Sequence, residues 1–402
     1  MLRSIRLQNL LSFGPESETF PLRALNVLIG PNASGKSNLI EALGLLRATP
    51  GNLLAPIREG GGVTEWLWKG RTESGPITAR LEVVLDYPEG VMPLRYQLAF
   101  TSAGQRLELA DEVIENERPQ KNLAQPYFFY RYQSGKPVIN ARVKAEDQPG
   151  TLTGRQPRVL QRDSVSSEQS ILSQRRDADV YPELTHVNSL LGRFSLHREW
   201  NVGRYTAPRL PQRVDLPGDF LLEDASNLGL VLNDLEFRPG VKKALLENLR
   251  LLYARVEDFS VKISGGTVQV FFREEGLSAP IPATRLSDGT LRYLCLLTLL
   301  CHPTPPPLVC IEEPELGLHP DIIPVIGRLL VEASERTQLI VTTHSDTLIS
   351  SLSQVPESVV VCEQEQGGTV LRRLEKEKLS EWLSRYSLGE VWRMGELGGT
   401  RW

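Results

Sequence analysis

Eight consecutive residues, Gly30-Pro31-Asn32-Ala33-Ser34-Gly35-Lys36-Ser37, follow a short apolar strand, 24–29, and run directly into a helix over 36–47. Leu39, Ile40, Leu43 and Leu46 of that helix share one face at spacings of three and four. G-x-x-x-x-G-K-S between a strand and a helix is the phosphate-binding loop. Its glycines let successive backbone N–H groups curl around phosphate oxygens, and the helix N-terminus adds the positive end of its dipole. The candidate nucleotide-contacting set is therefore Gly30, Asn32, Ala33, Ser34, Gly35, Lys36, Ser37 and Asn38. Lys36 would reach the β and γ phosphates, and the Ser37 hydroxyl would face Mg²⁺. A chain built around this loop has to supply a sheet whose strand ends present it, so the expected fold class is α/β.

The far half of the chain carries the matching acidic feature. Leu308-Val309-Cys310-Ile311 reads as a buried strand ending in Glu312-Glu313-Pro314-Glu315. Carboxylates at the carboxyl end of a central strand lie where open α/β sheets bind ligands. Glu312 is expected to hold Mg²⁺ through water, and Glu313 to orient and activate the attacking water as general base. Strand–helix–strand alternation occurs at both ends, with strands expected at 4–9, 338–343 and 358–363. The two ends then share one mostly parallel sheet, and the middle of the chain is an insertion.

That insertion begins as a meander over 77–115, with turns at Pro88-Glu89-Gly90 and Ser102-Ala103-Gly104. Between Arg142 and Arg213 it carries 12 basic and 8 acidic residues, so it is locally +4 in a chain of net charge −4, with helical stretches expected over 167–200. Arg155, Arg158, Arg162, Arg175, Arg176, Arg204, Arg209 and Arg213 could form a surface for DNA, RNA or an acidic partner. The alternative is a solvated insertion with balancing acids, which the thin aromatic interleaving favours. Trp66 and Trp68 fit a core position better than an interaction surface, and Trp382, Trp392 and Trp402 are expected to anchor the C-terminal segment.

Composition removes several classes. With 41% apolar and 23% charged residues, the 402-residue chain is neither intrinsically disordered nor fibrous. No segment reaches the ~20 apolar residues of a membrane span, and no signal-peptide pattern opens it, so a cytoplasmic location with no membrane partner is expected. Cys295, Cys301, Cys310 and Cys362 make no CxxC pair, sit in apolar runs and read as buried thiols.

Leu286-Ser287-Asp288-Gly289-Thr290 precedes an apolar helix over 291–300, with Ser287 as its N-cap. Taken in order, GPNASGKS, LSDGT, LVCIEEPE, GLHP and TTHS resemble the ABC-type ATPase heads of the SMC and RecF group. Within that group, Glu312 to Pro320 is similar to stand-alone bacterial ATPases related to the ATPase domain of OLD nucleases. The tail, Leu388-Gly389-Glu390 through Gly398 to Trp402, resembles the ending of such proteins, which implies a complete chain without a fused nuclease. The resemblance implies an ABC-type head with lateral antiparallel strands and a helical, Arg-rich insertion lobe. The expected division is 1–125 for the first half of the head, 126–215 for the insertion and 216–402 for the second half. ATP and Mg²⁺ are the implied ligands and ATP hydrolysis the implied activity.

The same resemblance supplies roles. Ser287 and Gly289 would contact the γ-phosphate of ATP held by a second copy. Leu316 to Pro320 would line the interface, and His344 would sense the γ-phosphate. It thus implies a homodimer or higher homo-oligomer closed by ATP. A separately encoded effector, such as a nuclease in phage defence or DNA repair, is the expected partner. The chain departs from the usual pattern at Asp288, where Ser-Gly-Gly is common, and at Glu312, where aspartate is common. A Mg²⁺-linking glutamine is not placed; Gln97 fits only by rough position and reads as an ordinary strand residue. The lack of sustained heptads excludes long coiled-coil arms. The alternatives are a nucleotide-binding subunit of an ABC transporter, for which a coupling glutamine loop and a base-stacking aromatic are not evident, and an ATP-gated scaffold without turnover.

Overall fold

In the N-terminal strand, Leu2–Gln8, the alternating residues Ile5 and Leu7 are buried, and Leu2 is buried too, beyond an irregularity in the pairing between Leu2 and Ser4. In the computed structural model this strand belongs to an eight-stranded antiparallel sheet. The structure describes residues 1–70, 75–121, 123–133, 135–145, 148–161 and 165–399. The described residues form two compact units. The first comprises Met1–Arg23, Asn32–Phe194 and Cys362–Leu371; the second comprises Ala24–Pro31, Ser195–Val361 and Arg372–Trp402.

The first unit holds the eight-stranded sheet. Its strands follow in the order Phe20–Pro21, Leu2–Gln8, Thr78–Leu85, Leu94–Ala103, Arg106–Asn116, Phe128–Gln133, Lys136–Ala145 and Gln148–Val159. The expected meander over 77–115 is its centre. The sheet continues well beyond it: Phe128–Gln133, Lys136–Ala145 and Gln148–Val159, expected in the insertion lobe, are strands, and helix enters at Ile171–Gln174 and Pro182–Leu191. Gln97 donates from Nε2 to Asp111 Oδ2 at 3.1 Å inside this sheet, in keeping with an ordinary strand position. Trp66 is buried and Trp68 partly so. The helix Lys36–Ala48 also lies in this unit and buries Leu39, Ile40, Leu43 and Leu46, the face that the spacing predicts, along with Ala42 and Leu45.

A fully buried carboxylate, Glu112, ties the first unit's sheet to its helices. Glu112 accepts from the Tyr96 hydroxyl at 2.9 Å, the Ser170 hydroxyl at 2.5 Å and the Ile171 backbone N–H at 2.9 Å. Burial raises its pKa from an ordinary 4.5 to about 7, against the lowering effect of those hydrogen bonds.

The second unit is organised by parallel pairing. Ser195–His197 pairs with Leu308–Glu312, which pairs with Gln338–Thr342, which pairs with Leu25–Ile29, and that strand pairs with Val359–Val361. Leu25–Ile29 and Gln338–Thr342 are buried along their whole length, as expected of strands covered on both faces. In strand order Val359–Glu365 and Gly368–Arg373 come last in this six-stranded sheet, with Cys362–Leu371 counted in the first unit, so the strand expected as the last is followed by another. Around it the helices Leu228–Glu236, Pro239–Leu252, Asp288–Leu300 and Ile323–Ser334 build an apolar core with Trp382 and Trp392 packed against it; Trp402 lies outside the described residues. Cys295, Cys310 and Cys362 are buried and Cys301 partly so. Burial pushes the Cys295 and Cys362 thiols up to about 12 and Cys301 to about 11, which leaves them uncharged at neutral pH.

Candidate active site

Parallel register brings the motif residues of the second unit to one end of its sheet. Glu312 lies opposite Thr342, and Thr342 opposite Leu28, so the chain leaves neighbouring strands at Glu312-Glu313, at Thr343-His344 and at Gly30-Pro31. Ser195–His197 adds Arg198 at the same end, with His197 opposite Ile311. This is the strand-end position at which open α/β sheets take ligands.

Glu312 is mostly buried, and its Oε1 accepts from Arg198 Nε at 2.8 Å. Glu313 is bent into the left-handed backbone region at φ 44°. Its N–H donates to the Thr342 carbonyl at 3.0 Å and sits 3.3 Å from the Thr342 hydroxyl. A non-glycine residue held there stores local strain, which persists only where neighbours over-determine it. Its Oε1 is 3.7 Å from His344 Nε2. The next glutamate, Glu315, was not singled out by sequence, yet it accepts from the Thr343 hydroxyl and the His344 N–H.

The signature residues belong to the same unit. Ser287 Oγ accepts from the Thr290 N–H at 3.1 Å, the expected N-cap of the helix Asp288–Leu300. A Cβ at Gly289 would stand 3.1 Å from the Gly317 carbonyl oxygen, so the signature loop packs against the turn after the carboxylates. Ser287, Asp288, Leu316, Gly317, His319 and Pro320 are exposed beside one another along these two segments.

The phosphate loop divides between the units: Gly30 and Pro31 end the strand in the second, and Asn32 to Asn38 belong to the first. Ala33 at φ 64° and Gly35 at φ 98° take left-handed conformations. A side chain at Gly35 would collide with Thr369 Oγ1, 2.1 Å from its Cβ. Thr369 donates to the Ser34 carbonyl at 3.0 Å and lies 2.7 Å from Ser12 Oγ, which also accepts from Asn38 Nδ2 at 2.7 Å. Ser12 and Thr369 therefore brace the loop, and no motif marks either one. Ser34 Oγ is buried without a hydrogen-bond partner, and Lys36 is only 6% exposed. An orphaned hydroxyl beside a buried ammonium, in a loop curled by left-handed residues, fits an anionic ligand. The donors proposed for Mg²⁺, the Ser37 hydroxyl and the Glu312 carboxylate, are hard oxygens of the kind that ion takes, and Glu312 already holds a cationic group.

The arginine set does not behave as one surface. Arg155, Arg158, Arg175 and Arg176 belong to the first unit, Arg204, Arg209 and Arg213 to the second, and Arg162 lies outside the described residues. Arg155 pairs with Glu183 and Arg213 with Asp215. Arg209 is buried, which corrects its assignment to a nucleic-acid surface; its guanidinium serves the signature loop.

A phosphate loop after one parallel strand and carboxylates at the end of another are the parts of an ATPase. Residues 25–350 match the family described as "AAA domain, putative AbiEii toxin, Type IV TA system", and the chain belongs to that family. The fold is that of SMC heads. It is similar to an SMC head bound to the C-terminal winged-helix domain of ScpA, with 13% identity and a TM-score of 0.58 over 94% of this chain and 99% of that one. It is also similar to a Pyrococcus furiosus Smc head with an extended coiled coil, bound to the C-terminal domain of ScpA, at 12% identity and a TM-score of 0.54 over 95% and 98%. A Pyrococcus yayanosii Smc head with a coiled coil and joint matches at 11% identity and a TM-score of 0.50 over 95% and 99%. A search of curated proteins finds no match. Among the described residues no helix is long and apolar enough to cross a membrane.

Proposed function

We propose that two copies of this chain close on ATP, each presenting its signature to the triphosphate bound by the phosphate loop of the other. Lys36 and the loop N–H groups bind the phosphates. Glu313 takes the proton of the attacking water, and His344, beside it, holds the γ-phosphate side. Ser37 and Glu312 would hold Mg²⁺, which would offset phosphate charge. The observation that carries this reading is the contact of Gly289 with Gly317, which joins the signature and the turn after the carboxylates into one exposed face. Such a face has catalytic value only when a second nucleotide-bearing surface meets it.

ATP then acts as interfacial ligand and its hydrolysis releases the pair, a two-state assembly linked to binding. We assign this cycle to control of a DNA-related process through a separately encoded effector, such as a nuclease in phage defence or repair. Support comes from the SMC-type head architecture and from the described residues, which include no membrane-crossing helix. Glu313→Gln should bind ATP and accumulate as a dimer in light scattering. An identical mass with and without ATP would sink ATP-driven assembly, and a pull-down in ATP that returns no second protein would remove the effector.

A further inference from the structure

We propose that Arg209 is the positioning residue of the signature loop, with Asp288 as its anchor. The inference rests on the two-copy reading above. Arg209 is 5% exposed, while its carboxylate partner Asp288 is 70% exposed. Nε and Nη2 donate to the Val202 carbonyl at 3.2 and 3.0 Å, Nη1 donates to the Leu286 carbonyl, and Nη2 donates to Asp288 Oδ1 at 2.5 Å. Leu286 and Asp288 flank Ser287. One planar guanidinium therefore grips the chain immediately before and immediately after the residue that faces the second copy.

The choice of residue follows from geometry. A guanidinium offers five N–H donors in a rigid fork, so it can hold a carbonyl and a carboxylate at fixed relative positions. A lysine ammonium is a point donor on a flexible stem and cannot impose that spacing. Asp288 also sits in the first turn of the helix Asp288–Leu300, where a negative charge is favoured by the helix dipole. The departure from Ser-Gly-Gly thus has a physical reason: the middle position supplies the acceptor that the buried arginine needs. Gly289 keeps a close approach to the Gly317 carbonyl that a Cβ would crowd at 3.1 Å. Arg209 touches no site assigned to ATP in its own copy, so its effect is exerted through Ser287 and Gly289.

Mixed variants separate this role from a general loss of fold. Lys36→Ala has a defective phosphate loop and an intact signature; Arg209→Gln has the reverse. Misplacing the signature should lower turnover of Arg209→Gln alone by about 100-fold, with ATP affinity retained. Mixing the two inactive proteins should restore turnover to at least about tenfold above either alone, because one competent site forms in each mixed pair. The control is Lys36→Ala mixed with Ser287→Arg. If the control recovers and the Arg209→Gln mixture does not, the Arg209 role is overturned and the two-copy reading stands. If neither recovers, the two-copy reading falls and takes this inference with it. Should Arg209→Gln not fold, Asp288→Ala, altered only at the exposed partner, decides. A loss of turnover that Lys36→Ala complements supports the role, and wild-type turnover rejects it.

Discussion

Glu315 Oε1 accepts one hydrogen bond from the Thr343 hydroxyl at 2.6 Å and another from the His344 backbone N–H at 3.0 Å. Burial raises the Glu315 pKa, opposed by those same bonds, and its Oε2 is buried with no hydrogen-bond partner. The turn after the carboxylate strand is thereby tied to the loop that carries His344. Glu315→Ala should leave ATP affinity near wild type and lower kcat about 10- to 100-fold, the range for losing a buried acceptor that serves two donors. Steady-state kinetics with KM and kcat resolved would check it; a change in KM alone would show that Glu315 does not act on the chemical step.

Arg198 donates to Oε1 of Glu312, the carboxylate proposed to hold Mg²⁺. Both groups keep some exposure, so their pairing is worth about 0.2–1 kcal/mol. Arg198→Met should therefore lower the Mg²⁺ concentration for half-maximal turnover by about two- to fivefold. A magnesium titration that superimposes on wild type would remove Arg198 from the metal's competition.

Gly35→Ala places a Cβ at φ 98° against the Thr369 hydroxyl and should deform the loop enough to abolish nucleotide binding. Thr369→Ala, which removes the hydroxyl that meets the Ser34 carbonyl and Ser12 Oγ without adding bulk, should weaken ATP by about 0.5–1.5 kcal/mol, a few-fold to about tenfold in Kd. Titration with a fluorescent ATP analogue distinguishes the two. Equal affinity for wild type and Lys36→Ala in the same assay would reject the loop as the binding element.

Glu112 gives the first unit a pH signature. Its folded-state pKa is raised from 4.5 to about 7, so the folded state binds the proton more tightly than the unfolded chain. Stability from this group is fully present below pH 4.5 and is lost as pH rises to about 7, on the order of 3 kcal/mol in all. Glu112→Gln, which keeps an acceptor for Ile171 but cannot ionise, should lack that decline. Denaturant midpoints of the two proteins between pH 4.5 and 8 should converge at the acidic end and separate, with the variant more stable, at the neutral end.

Elements whose residues act through the backbone nearest to them were legible from sequence. The phosphate loop, the Ser287 cap and the Leu308–Glu312 strand follow from glycine conformation, local capping and short-range apolar runs. The extension of the antiparallel sheet to Val159 was less legible, because Arg142, Arg155 and Arg158 make those strands polar and blur their alternation. Arg209 was misassigned for a related reason: composition counts a charge but does not show that Leu286 and Val202, 77 and 7 residues away, bury it.

By itself the sequence determined the chemistry available to this protein: a loop for phosphate, carboxylates at a strand end and a capped glycine turn, each encoded within a few neighbouring residues. Tertiary structure alone decided which side chains hold those parts in place. Ser12 and Thr369 meet across 357 residues to brace the phosphate loop, and Glu315 reaches Thr343 across 28. Such partners are chosen by sheet register and packing, which depend on the whole chain, so no local pattern could announce them.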